Sequence, residues 1–270
     1  MKNITDKLNA RIEKTHSLVC VGLDSDYARL SRAWMDDEMP QFAFNRAIID
    51  QTLDFACAYK INSAFYESRG AEGWEAMRRT MEYLRQLAPD VVTIIDAKRA
   101  DIGNTSDQYA TAFYDALHAD AVTLHPWLGG EALRPFLKRS DKAAIILCHT
   151  SNAGSGEFQD LMVEDNHERL PMWRKVARNV AQDWNGQNNC WLVVGATVPQ
   201  VLRDVRGEVG DMPILVPGVG AQGGDLAAVC ENGLTLDKKG LMINASRSII
   251  FADHPQQEAA ALRDAINRYR

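Results

Sequence analysis

Eight short apolar runs punctuate this chain, at residues 18–23, 55–61, 91–96, 121–124, 143–148, 190–194, 213–216 and 241–245. They are rich in Val, Ile, Leu, Ala and Cys, the length and make-up of strands buried on both faces. Between them the apolar period lengthens. In 74–87, Met77, Met81 and Leu84 fall on one helical face, and 259–269 repeats that amphipathic pattern. Alternating strands and helices predict a parallel sheet. Eight strands in 270 residues predict an α/β fold of the (β/α)8 TIM-barrel type, with a doubly wound open sheet as the alternative. No repeat or linker divides the chain, so residues 1–270 are expected to form one domain. The longest connection, 151–189, carries Gly154, Ser155 and Gly156 before a helical stretch at 171–184, which predicts a mobile loop followed by a helix.

A hydrophobic content of 46% suits one large core. The formal net charge is −6 with Lys and Arg dispersed, so nothing resembles a nucleic-acid or anionic-membrane footprint, and a small-molecule partner is expected. Five scattered cysteines, Cys20, Cys57, Cys148, Cys190 and Cys230, read as small buried hydrophobes in a reducing cytosol rather than a disulfide framework or zinc site. There is no signal-like start, and no apolar run approaches the ~20 residues of a membrane span. A soluble cytoplasmic protein is expected.

In a barrel the chemistry sits where strands run into the following loops. Those ends supply Asp24, Lys60, Asp96 with Lys98, His125, Thr150 with Ser151, Thr197, Gly218 with Gly220, and Ser246 with Arg247. If the third strand continues far enough, its two-residue period points Asp96 and Lys98 the same way, and Asp101 completes two carboxylates around one ammonium. An Asp-x-Lys-x-x-Asp pattern arises by chance in roughly one chain of this length in twenty, so alone it reads equally as a surface ion-pair cluster. Pro217-Gly218-Val219-Gly220 alone is more often a plain turn. His125 and His149 read as hydrogen-bonded structure, and the six tryptophans as core or interface.

Taken in order, Asp24, Lys60, Asp96-Ala97-Lys98-Arg99-Ala100-Asp101-Ile102-Gly103-Asn104-Thr105, Pro217 through Gly224, and Ala245-Ser246-Arg247 resemble the orotidine 5′-phosphate decarboxylase family over nearly the whole chain, in its longer bacterial (type 2) branch. The resemblance implies conversion of orotidine 5′-phosphate to uridine 5′-phosphate and carbon dioxide, the last step of de novo pyrimidine nucleotide synthesis, without metal or other cofactor. It implies Lys98 as carbanion stabiliser and proton donor, with Asp96, Asp101 and Lys60 in the charge network. Asp24, Lys60 and Asn62 fall to the ribose side, and Thr150 or Ser151 to the pyrimidine edge. Gly218, Gly220, Gly223 and Gly224, with Gln222 and Arg247, offer amide donors and a guanidinium fork for the phosphate. Asp101 and Thr105 are implied to reach the site of a second subunit, making a homodimer with shared active sites. The rivals are a magnesium-dependent sugar-phosphate decarboxylase or aldol-type synthase on a similar barrel, and a non-catalytic barrel that binds uridine phosphates. Schiff-base chemistry at Lys60 or Lys98 is disfavoured, because flanking carboxylates keep an amine protonated.

Overall fold

The computed structural model describes residues 3–220 and 223–270. Its strands, in chain order, are β1 (Val19–Gly22), β2 (Ala58–Asn62), β3 (Val92–Arg99), β4 (Ala121–Leu124), β5 (Ala143–His149), β6 (Met162–Asp165), β7 (Glu168–Pro171), β8 (Cys190–Val194), β9 (Ile214–Pro217) and β10 (Leu241–Ala245). Eight of them close a barrel in the order β1-β10-β9-β8-β5-β4-β3-β2. Every barrel pairing is parallel. The eight expected runs are these strands, and β1, β4, β8 and β10 are buried along their whole length. Helices cover the outside, including Gly70–Leu87, which contains the first amphipathic stretch read from the sequence, and Pro255–Asn267, which stops two residues short of the end of the second. All five cysteines are buried as free thiols. Among the described residues no helix is long and apolar enough to cross a membrane.

Three details depart from the sequence reading. The second strand begins at Ala58 rather than 55, because Leu53–Phe55 tightens into a 3₁₀ turn at the end of the helix Pro40–Thr52. The buried Arg11 guanidinium holds that turn through the Leu53 carbonyl at 2.5 Å and the Ala56 carbonyl at 3.1 Å. The connection 151–189 contains an antiparallel hairpin, β6 with β7, that was not foreseen. Its turn residues Asn166 and His167 both adopt positive φ (49° and 67°), the backbone of a type I′ hairpin turn, with His where glycine usually gives the signal. Asp165 ties the hairpin to Lys175 at 2.7 Å on the following helix. That helix, Met172–Asn179, ends in a π-helical segment, Val180–Trp184, as far as the expected helix ran.

The third departure shapes the site. β3 runs past Asp96 to Arg99, but its register with β4 slips: Ile95 pairs with Val122, and the next pair is Arg99 with Leu124. Asp96, Ala97 and Lys98 therefore stand opposite the single residue Thr123. Such a bulge re-aims side chains at a barrel rim. Lys98 takes a left-handed backbone, φ 50°, a conformation that costs a non-glycine residue on the order of 1 kcal/mol or more.

Candidate active site

The strand ends converge on a cavity of about 290 Å³ at the mouth of the barrel. Asp24, Lys60, Asn62, Asp96, Lys98, Thr150, Ser151, Gly218 and Arg247 all line it. Leu147, Val193 and Leu215 supply apolar wall, so charge and a dry surface meet in one place, as ligand sites require.

A chain of alternating charges crosses its floor. The Lys60 ammonium lies 3.0 Å from Asp24 Oδ1 and 3.4 Å from Asp96 Oδ2, and Lys98 Nζ is 2.6 Å from Asp96 Oδ1. Burial opposes charge on Asp96, but the Lys60 and Lys98 ammonium groups, with hydrogen bonds from Lys98 and Thr123, outweigh it and bring the carboxyl down to about 2. Burial likewise works against the Lys60 charge, yet Asp24 and Asp96 overcome it and raise its pKa. Both groups are thus ionised at neutral pH. Lys98 differs in exposure: its side chain is 47% exposed against 5% for Lys60. Lys60 is a fixed internal ion, whereas Lys98 presents its ammonium to whatever fills the cavity.

Ser246, just after β10, was named among the strand ends but given no role. Its hydroxyl donates to Asp24 Oδ2 at 2.7 Å, and the Asn62 amide donates to Asp24 Oδ1 at 3.3 Å. Ser246 fits there only because residue 22 is glycine; a Cβ at Gly22 would lie 1.8 Å from Ser246 Oγ. Thr123 is new to the site. Its hydroxyl donates to Asp96 Oδ1 at 2.8 Å and accepts from the Lys98 amide at 3.0 Å.

Thr150 and Ser151 stand side by side at the cavity. Thr150 is tied down, its amide donating to Gln159 Oε1 at 2.8 Å and its hydroxyl donating to Asn152 Oδ1 at 2.7 Å. Gln159 Nε2 in turn donates to the Thr150 hydroxyl at 3.0 Å. Ser151 packs its backbone against Gly195, where a Cβ would come within 2.7 Å of the Ser151 nitrogen. Thr150 therefore anchors the loop, and both residues line the cavity.

The glycine loop after β9 behaves partly otherwise than expected. Gly218, Gly220 and Gly223 take φ of 98°, 68° and 84°, which favours glycine. The amides of Gly220, Gly223 and Gly224, however, close the loop on itself, bonding Gly224, Gly220 and Gly218 carbonyls at 3.1, 2.9 and 3.1 Å. Neither Gly220 nor Gly223 lines the cavity, so they shape the loop rather than offer free donors. Gln222 lies outside the described residues. Arg247 is exposed at the start of the short helix Arg247–Ile250; its carbonyl accepts from the Phe251 amide at 3.4 Å, and its guanidinium forms no ion pair or hydrogen bond among the described residues. Ser248 beside it also lines the cavity. A guanidinium without a partner among the described residues, at the rim of this cavity, is a ready anion site.

Asp101 and Thr105 are not brought to Lys98 within the chain. Asp101 Oδ1 accepts from the Ile102 amide at 2.7 Å, and Thr105 is exposed on the helix Gly103–Ala110. Asp101 makes no ion pair among the described residues, so only one of the two expected carboxylates surrounds Lys98 in a single chain. Thr197 is exposed, away from the cavity lining. His125 lines a neighbouring, more apolar cavity with Trp127 and Trp184. His149 is held between the Thr150 carbonyl and Asp160, each at 3.1 Å, a structural histidine as expected.

The comparisons agree with this architecture. The sequence pattern of the orotidine 5′-phosphate decarboxylase / HUMPS family matches residues 17–262. An orotidine 5′-phosphate decarboxylase of Ralstonia pickettii is 42% identical over 98% of each chain, and one of Parabacteroides distasonis is 45% identical over 96% of this chain and 91% of its own. Among solved structures, the OMP decarboxylase of Leishmania donovani superposes with a TM-score of 0.88 at 37% identity, covering 99% of each chain. A putative orotidine-monophosphate decarboxylase of Toxoplasma gondii gives 0.90 at 39% identity, covering 98% of this chain and 96% of its own. With a cavity charged in this way and likeness along its whole length, the chain belongs to the orotidine 5′-phosphate decarboxylase / HUMPS family.

Proposed function

We propose that this protein decarboxylates orotidine 5′-phosphate to uridine 5′-phosphate, the last step of de novo pyrimidine nucleotide synthesis, with Lys98 as its central group. The observation that carries the reading is the Asp24-Lys60-Asp96-Lys98 charge chain beneath a cavity that Arg247 also lines. Cleavage of the ring–carboxylate bond leaves its electron pair in the plane of the pyrimidine, where the π system cannot absorb it. Placed charge must do so instead. The Lys98 ammonium faces that pair and then transfers a proton to the same carbon as carbon dioxide leaves; solvent reprotonates the amine. Asp96, held ionised, fixes the position of Lys98 and stands near the departing carboxylate. Asp24 and Lys60 take the ribose hydroxyls, with Asn62 beside them, and Ser151 takes the pyrimidine edge. The apolar Leu147, Val193 and Leu215 wall suits a leaving molecule without charge.

Asp101 and Thr105 act in this reading from a partner copy. Support comes from where they sit: half-buried Asp101 precedes Ile102, 62% exposed, Thr105 is exposed one turn on, and the adjoining helix Gly129–Leu137 follows the exposed Trp127 and Leu128. The two helices are joined by the Ser106 hydroxyl donating to the Ala132 carbonyl at 2.6 Å, and exposed apolar Ile102 adjoins Asp101. Surfaces of this kind mark interfaces.

Loss of orotidine 5′-phosphate absorbance by purified protein in excess EDTA tests the reaction. Turnover unaffected by EDTA is the expected result. Turnover of a sugar phosphate that needs added magnesium, with none of orotidine 5′-phosphate, would replace this reading by the synthase branch of the family. Binding of uridine 5′-phosphate without any turnover would leave a sensor.

Arg247 provides an independent check on the phosphate end. Arg247→Ala is expected to weaken uridine 5′-phosphate binding by roughly 10- to 100-fold, the worth of a charge-assisted hydrogen bond, while uridine itself binds as before. Calorimetric titration of both ligands reads this, and equal loss for both would remove Arg247 from the phosphate.

A further inference from the structure

The β3 bulge leaves the Lys98 amide without a ladder partner, and one side chain from the neighbouring strand fills the gap. We infer that Thr123 is a positioning residue of this active site, whose hydroxyl locks the Asp96-Lys98 pair into working geometry by bridging the Asp96 carboxylate and the Lys98 backbone. This rests on the reading of Lys98 as the reacting ammonium.

Three observations converge on it. Thr123 lies in β4, fully buried, and its Cα partner across the sheet is Ile145 of β5, with no register partner on the β3 side. Its Oγ1 accepts the Lys98 amide at 3.0 Å and donates to Asp96 Oδ1 at 2.8 Å, using its single proton and one lone pair in a fixed direction. The same Asp96 oxygen receives Lys98 Nζ at 2.6 Å. One hydroxyl thus closes a small ring through Asp96 and both the backbone and the side chain of Lys98. The ring satisfies an amide exposed by the bulge, supports a left-handed backbone at φ 50° that threonine's bond helps to hold, and aims the carboxylate that aims the ammonium. Without this hydroxyl the Lys98 amide loses its partner, so the bulge has reason to relax. An ammonium displaced by an ångström loses much of its catalytic effect.

Steady-state kinetics of Thr123→Val and Thr123→Ser in the full-length protein tests this. Valine keeps the shape and removes the hydroxyl; it should lower kcat by roughly 10- to 100-fold, with KM and uridine 5′-phosphate affinity within about threefold of wild type. Serine restores the hydroxyl and should recover most of kcat. Thr123→Ala, which removes the hydroxyl without branching, should repeat the kcat loss and serves if the valine variant does not fold. Wild-type kcat in the folded valine or alanine variant overturns the inference, as does failure of serine to recover activity in a folded protein. Parallel loss of nucleotide affinity and kcat would reduce Thr123 to a packing residue and overturn it too. Lys98→Ala measured alongside separates the two levels: if that variant still turns over, the reading of Lys98 has failed, whereas an inactive Lys98→Ala beside a fully active Thr123→Val rejects only the positioning role.

Discussion

Lys98→Ala is expected to lose turnover by ~10⁴-fold or more, because one group supplies both the charge that stabilises the carbanion and the proton that quenches it. Nucleotide binding should survive. Asp24, Lys60 and Arg247 belong to other strand ends, and Lys98 is the exposed end of the charge chain rather than its buried centre. Lys60 would not behave so simply: it is buried between Asp24 and Asp96, and its removal strips Asp24 of its ammonium partner and leaves Asp96 with Lys98 alone, a defect of several kcal/mol in folding as well as activity. Measuring decarboxylation under single-turnover conditions together with uridine 5′-phosphate affinity separates these cases. Near-normal turnover by Lys98→Ala would end the proposed mechanism; full inactivity with intact binding supports it. Asp96 also loses one of the two ammonium groups that hold its carboxyl near 2, but Lys60 remains, so it stays ionised at neutral pH.

The barrel was legible because its strands are buried on both faces. Runs such as Cys190–Val194 or Leu241–Ala245 carry that requirement in their composition. The hairpin β6–β7 was hidden because it is half exposed, only four residues long per strand, and turned by Asn166-His167 without glycine. At the site, the strand-end charges could be read in order along the chain, and the structure gathers Asp24, Lys60, Asp96 and Lys98 as their types suggest. What links them could not be read locally. Ser246 reaches Asp24 only across a glycine on a strand more than two hundred residues earlier, and Thr123 matters only because β3 and β4 slip register beside it. Both depend on pairing between strands, which no single window of sequence contains. The glycine loop misled in another way: its composition announced free amides, whereas three of them are spent on its own turn.

The location of Asp101 leads to the most discriminating experiment on assembly. Within one chain its carboxylate caps the Ile102 amide and leaves Lys98 with Asp96 alone, on an exposed loop beside apolar surface. If a second copy docks there, each site draws Lys98 from one subunit and Asp101 from the other. Lys98→Ala and Asp101→Ala proteins are then each expected to be nearly inactive. In a mixed dimer, one site carries both lesions and the other carries neither. Equal mixing with random exchange gives half mixed dimers, so about a quarter of wild-type activity should return. Distinct affinity tags allow the mixed species to be isolated, where half of wild-type activity per dimer is expected. Mixed dimers that remain inactive would place Asp101 outside the partner's site, and a strictly monomeric protein with full activity would remove the shared site altogether. Asp101→Ala that keeps wild-type turnover would show that Lys98 works with Asp96 alone, as it stands in the single chain.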